Sequence, residues 1–150
     1  MREQVMGGRA GAVALNVAEY GESSAYRERL LVIGGADPGD FPLSYRQVTA
    51  IAGRFWRRTS ERYADAVADA IGELGCPVVE MHNRAPLFRR LARRLDQRTS
   101  LCLYLHNDPQ EMEGMGSPSE RSVLLQRASL IYCLSSYIRD RFLHDTAGPP

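Results

Sequence analysis

Two apolar runs in this chain end in the same way. "VVEMHNR" stops at His82-Asn83-Arg84, and "LCLYLHNDP" stops at His106-Asn107-Asp108-Pro109. A core strand gains nothing from such residues at its end. A histidine can donate a hydrogen bond or carry a proton, an asparagine can donate or accept while neutral, and an aspartate accepts. Asp108-Pro109 forces an extended or turn conformation that would aim these groups off the end of the run. One such histidine is more often a satisfied turn residue than a functional one. Two His-Asn pairs ending successive runs shift the balance toward a shared site, with the turn reading still open.

Other clusters are weaker. Gly7-Gly8-Arg9-Ala10-Gly11 opens a helical stretch, where free backbone amides could cradle a phosphate. Terminal glycines also serve simple flexibility. The arginines between Arg84 and Arg98 could meet an anion, although a solvated helix face accounts for most of them. Arg84 stands apart because it follows His82-Asn83 directly. His82, His106 and His144 lack metal-ligand spacing, and Cys76, Cys102 and Cys133 form no CxxC pair, so no metal is expected. No G-x-S-x-G elbow exists for a serine hydrolase.

Composition narrows the classes. The chain has 150 residues, enough for one domain with a core and too few for two. It is 44% hydrophobic and 25% charged with a net charge of +1, so it has no general electrostatic reason to bind nucleic acid or an anionic membrane. It contains no lysine, which removes phosphate-loop and Schiff-base lysine chemistry. No apolar run approaches the roughly 18 residues that a membrane span needs. The Ala-rich N-terminus, broken by Asn16 and Glu19, is a poor signal peptide. The expected location is cytoplasmic, with at most peripheral contact at the inner face of the membrane.

The elements that must position the two histidines follow from the pattern. Arg29–Gly35, Pro77–Asn83, Ser100–Asn107 and Ser129–Ser135 are short, nearly continuous apolar runs, the mark of parallel strands covered on both faces. Helical stripes lie between them: Tyr63, Val67, Ile71 and Leu74, then Leu87, Leu91 and Leu95. Ser117-Pro118-Ser119-Glu120 predicts a capping box, with Val123, Leu124 and Ala128 on the apolar face. Ser135 can cap a last helix in which Ile138 and Phe142 pair. Gly7 to Tyr20 reads as a helix closed by Gly21. Gly34–Gln47 and Asn107–Ser119 read as long loops. Alternation of this kind predicts an α/β, Rossmann-like parallel sheet with helices on both faces, whose ligands bind at the carboxyl ends of the strands. Met1–Met6 is a poor strand, so the sheet reads as lacking its first strand.

Taken in order, "VVEMHNRAPLFRRLARR", "LCLYLHNDPQEMEG" and "SERSVLLQRASLIYCLSSYIRDRFL" resemble the N-terminal domain of family-4 glycosyltransferases of the GT-B fold, closest to bacterial members that build cell-surface or spore-coat glycans. The likeness spans about Gly7 to Leu143 and is strongest from Val78 onward. It implies the acceptor-side half of a retaining, nucleotide-sugar-dependent transferase that uses no metal cofactor. His106 matches the histidine that reaches the donor sugar. Gly7 and Gly8 match the loop against the donor diphosphate. His82, Asn83, Arg84, Asn107 and Asp108 match the acceptor side, Asn107–Gly116 a mobile acceptor loop, and Ser135 the serine after the fifth strand. The implied partners are a nucleotide-sugar, a glycan or lipid-linked acceptor, and a C-terminal donor-binding domain that these residues do not contain. On this reading the chain is a fragment or half-domain, inactive alone. Two alternatives stay open: a non-catalytic relic or binding half-domain that needs a partner, and an unrelated small α/β hydrolase using His106 and Asp108 directly.

Overall fold

The computed structural model describes residues 11–50 and 58–146. Gly7 and Gly8 lie outside the described residues. The chain divides into two compact units, Met1–Ala70 and Ile71–Pro150, with the boundary inside helix α2 (Thr59–Leu74).

In the first unit, helix α1 (Ala12–Ser23) precedes strands β1 (Leu31–Gly34) and β2 (Ser44–Gln47). The two strands pair in parallel, from Leu31 opposite Ser44 to Gly34 opposite Gln47. β2 corrects the expectation of an uninterrupted loop from Gly34 to Gln47. Its sequence, "SYRQ", has no aliphatic residue and both its ends are exposed, so it carries no apolar signal. The Tyr45 hydroxyl donates to the Ala36 carbonyl (3.0 Å) and pins the short connection between the strands. α1 brings a second correction. The helix does not close at Gly21 but runs through it to Ser23. Gly21 is buried there, and a Cβ would collide with the Leu43 side chain. The glycine is a packing gap rather than a stop signal.

The second unit carries the histidines. Its elements are β3 (Val78–His82), α3 (Ala85–Leu91), β4 (Ser100–Leu105), α4 (Pro118–Arg127), β5 (Leu130–Cys133) and α5 (Ser136–Leu143). The strands form a parallel sheet in the order β3-β4-β5. Register places Met81 beside Leu103 and Leu103 beside Ile131, and likewise His82 beside Tyr104 and Tyr104 beside Tyr132. Strand side chains alternate between faces. Leu101, Leu103 and Leu105 therefore share one face and are buried. Helices α3, α4 and α5 pack on one another, with α3 against β4 and α5 against β5. The chain is thus a mixed α/β protein of Rossmann-like character, with parallel sheets flanked by helices.

Three local expectations shift in detail. The α3 stripe is Ala85, Phe88 and Leu91, all buried, and Leu95 lies beyond the helix. On α2, Leu74 is exposed while Ala64, Val67, Ala68 and Ile71 are buried. On α4 the buried positions are Leu124 and Arg121, with Val123 exposed. Both predicted caps are present: the Ser117–Glu120 capping box opens α4, and the Ser135 hydroxyl accepts from the Ile138 amide to open α5.

Candidate functional site

The two His-Asn strand ends meet. β3 and β4 are adjacent and parallel, so His82 and His106 emerge at the same carboxyl edge. His82 Nδ1 lies 2.8 Å from His106 Nε2, a hydrogen bond between the imidazoles. The asparagines repeat the link. Asn83 Nδ2 donates to Asn107 Oδ1 (3.2 Å), and Asn83 Oδ1 accepts the His106 backbone amide (2.9 Å). Asn83 sits at φ +53°, in the left-handed region that asparagine tolerates better than most residues. That turn swings its side chain to the neighbouring strand end. The Asn83 backbone amide still donates to the Tyr104 carbonyl (2.9 Å) and extends the β3–β4 ladder by one bond.

An aromatic row supports the pair. His82 stacks on Tyr104 (centroids 5.1 Å, 14° between planes), and Tyr104 stacks on Tyr132 (5.5 Å, 21°). His106 covers the end of the row, 4.6 Å from Tyr104 and 5.1 Å from His82. Flat rings on one sheet face hold both imidazoles in a narrow range of orientations. Glu80, two residues before His82 on the same face, places Oε1 3.5 Å from His82 Nε2.

This setting favours neutral rings. Burial, and then the neighbouring His106, push the His82 pKa down to about 4. Burial also lowers that of His106. Burial raises the Glu80 carboxyl. At neutral pH the site is a pair of uncharged imidazoles sharing one N–H···N bond beside a carboxylate. A neutral imidazole can both donate and accept a hydrogen bond.

The other expected residues divide. Arg84 and Asn107 are exposed beside the pair. Asp108 is bonded through both carboxylate oxygens to residues other than the histidines. Its Oδ1 accepts the Gln110 amide (2.9 Å), while Oδ2 accepts from the Tyr137 hydroxyl (3.0 Å) and Arg141 Nε (2.8 Å). Burial works to raise its pKa, but the bonds from Gln110, Arg141 and Tyr137 prevail and hold the carboxyl below its ordinary range. The Asn107–Gly116 segment, expected to be mobile, is anchored at several points. Gln110 Nε2 donates to the Arg141 carbonyl (2.8 Å), and Pro109 and Met115 are fully buried. Arg121, itself buried, donates to the carbonyls of Met115, Gly116, Phe142 and His144 at 2.7–2.9 Å. Ser135 serves as the α5 cap.

Sequence reasoning passed over Glu80, Tyr104, Tyr132, Tyr137, Arg141 and Arg121. Strand register would have supplied the first three. Tyr137 and Arg141 are spaced i, i+4 on α5, so both can face one carboxylate. Nothing local distinguishes Arg121 from the solvated arginines around it. Among the described residues, no group of three or more His, Cys, Asp or Glu side chains could hold a metal ion, and no helix is long and apolar enough to cross a membrane.

No protein-family model matches the chain, and no curated protein matches it.

Proposed function

We propose that this chain is the N-terminal, acceptor-side part of a retaining glycosyltransferase that draws on a nucleotide-sugar to build a cell-surface glycan on the cytoplasmic side of the membrane. The observation that carries the reading is the convergence of His82-Asn83 and His106-Asn107 into one hydrogen-bonded cluster at the carboxyl edge of a parallel sheet. Ligands of open α/β sheets bind at that edge. The ordered resemblance of Val78–Leu143 to family-4 enzymes supports the same assignment.

On this reading His106 meets the donor sugar, and His82, Asn83, Arg84 and Asn107 line the acceptor side. Asp108 holds the acceptor loop through Gln110, Tyr137 and Arg141. A second α/β domain supplies the main nucleotide contacts. Cleavage of the sugar–phosphate bond leaves positive charge on the sugar and negative charge on the leaving diphosphate. Neutral imidazoles suit the sugar side, because they orient hydroxyls without adding positive charge beside the developing cation. No metal cofactor is required.

The hydrolase alternative draws less support, since His106 is bonded to His82 and the Asp108 oxygens are taken up elsewhere. The test is sugar transfer by the protein expressed from the gene extended on both sides of this reading frame, assayed with a panel of nucleotide-sugars. His106→Ala should lower kcat/KM by on the order of 10²-fold, and the 150-residue chain alone should not turn over. Transfer indifferent to His106→Ala would overturn the assignment. So would robust transfer by the isolated chain, or ester hydrolysis by it that depends on His106 and Asp108.

A further inference from the structure

We infer that the carboxyl edge of β3 and β4 carries a docking place for an oxyanion, a carboxylate or a phosphate, formed by the side-chain amides of Asn83 and Asn107 and the guanidinium of Arg84. The inference rests on the proposed function only for what bears the anion, an acidic acceptor.

Hydrogen-bond direction fixes which way each amide faces. A backbone N–H can only donate, so the Asn83 atom that meets the His106 amide at 2.9 Å is the side-chain oxygen. The other end of Asn83 is then its NH2 group. That group donates to Asn107 at 3.2 Å, so Asn107 gives its oxygen to the bond. The end of Asn107 left over is NH2, with two N–H donors. Asn107 is exposed, and its NH2 meets no acceptor among the described residues. The left-handed turn at Asn83, φ +53°, holds this arrangement by carrying the Asn83 side chain across to the end of β4.

Arg84 adds the charge. It follows Asn83 directly and is exposed, and its guanidinium is bonded to no other group among the described residues. A guanidinium donates only, through a planar fork that matches a carboxylate or a phosphate. The edge therefore offers N–H groups from Asn107 and Arg84, while the oxygens of both asparagines already accept bonds. Donors without acceptors, with one positive charge among them, complement an oxyanion better than a hydroxyl, which must also donate. The nearby carboxylates do not cancel this. Asp108 is matched by Arg141 and Tyr137, and Glu80 lies within β3, beside His82 Nε2 rather than past the strand end.

The experiment is an NMR titration of the labelled 150-residue chain with sodium phosphate and with sodium acetate, ionic strength being held constant with sodium chloride. The signals followed are the side-chain amides of Asn83 and Asn107 and the Arg84 Nε–H. Saturable shifts at Asn107 and Arg84 are expected, with none from chloride alone. A response to phosphate alone would assign a phosphate-bearing ligand, and a response to acetate alone a carboxylate-bearing one. Both positions are exposed, so variants should keep the fold, checked by the His106 backbone amide signal. Arg84→Gln should weaken binding about fivefold. Asn107→Asp keeps an oxygen for Asn83 but replaces the outward NH2 with a second carboxylate oxygen, and binding should be lost. Glucuronate should bind at least about fivefold more tightly than glucose. Silence of Asn107 and Arg84 toward both anions overturns the inference, and so does unchanged anion binding in Asn107→Asp. Phosphate and acetate contain no sugar, so their failure leaves the transferase reading standing, as would equal binding of glucose and glucuronate.

Discussion

Two polar clusters sit at the carboxyl edge of the three-stranded sheet, and they are built on opposite plans. Around Asp108 and Arg121 every strong group is paired. One carboxylate accepts three bonds, and one buried guanidinium donates to four carbonyls. That cluster ties the loop after β4 to α4 and α5. Around His82 and His106 the groups are neutral, share one proton and lie beside exposed Arg84 and Asn107. The first plan spends its polar chemistry on the fold. The second joins two strand ends through neutral groups.

The comparison is broken most severely at Arg121. Arg121→Met would keep much of the buried volume and strip four carbonyls of their donor. A loss on the order of 3 kcal/mol is expected, read as a lower denaturant midpoint. A midpoint within experimental error of wild type would mean that the guanidinium does not hold these segments together.

Acid should separate the clusters. His82 takes its proton near pH 6.5 in the unfolded chain and only at about 4 in the fold. The unfolded state therefore binds more protons between those values, and stability falls as pH drops through that window. Above pH 6.5 the folded state carries no penalty from this group, and below about 4 the penalty is complete, on the order of 3 kcal/mol. Asp108 behaves differently. Its folded pKa is depressed, so its contribution is present above the ordinary carboxylate range and is lost only as pH falls through that lower value. Unfolding midpoints from pH 7 to 4 for wild type and His82→Asn should diverge at the neutral end and converge toward pH 4. Parallel curves would show that burial does not hold His82 neutral.

A smaller effect probes the loop. Gly114 sits at φ +78°, and a Cβ there would come 2.5 Å from Arg89 Nη2. Gly114→Ala should cost about 1 kcal/mol, and the Arg89 side chain should move aside. The imidazole signals of His82 and His106 should stay in place, since the loop and the pair are separate constructions. Asp108→Asn should give the mildest change at neutral pH, a small fall in the unfolding midpoint together with loss of the acid-sensitive contribution from that carboxylate.

Much of the fold was legible in the sequence because its strongest signals are local. The apolar runs ending at His82 and His106 became β3 and β4, and the Ser117 and Ser135 caps formed as read, since each depends on neighbours within a few residues. β2 was not legible, because "SYRQ" is half-exposed and takes its strand conformation from pairing with β1. Gly21 misled for a related reason: the Leu43 side chain that requires a glycine there is distant in sequence. At the site, the matching His-Asn endings marked the two strands, but only the register of β3 on β4 brings the rings to 2.8 Å. The assignment of Asp108 to the loop also depends on distant residues, Tyr137 and Arg141 on α5.

The proposed function makes the paired strand ends a saccharide site. Its most direct test is a titration of the labelled 150-residue chain with oligosaccharides and nucleotide-sugars, following the imidazole nitrogens of His82 and His106 and the side-chain amides of Asn83 and Asn107. Saturable shifts concentrated on these four residues are expected, with loss of the response in His106→Ala. Shifts that spare all four while saccharide binds elsewhere on the chain would contradict it.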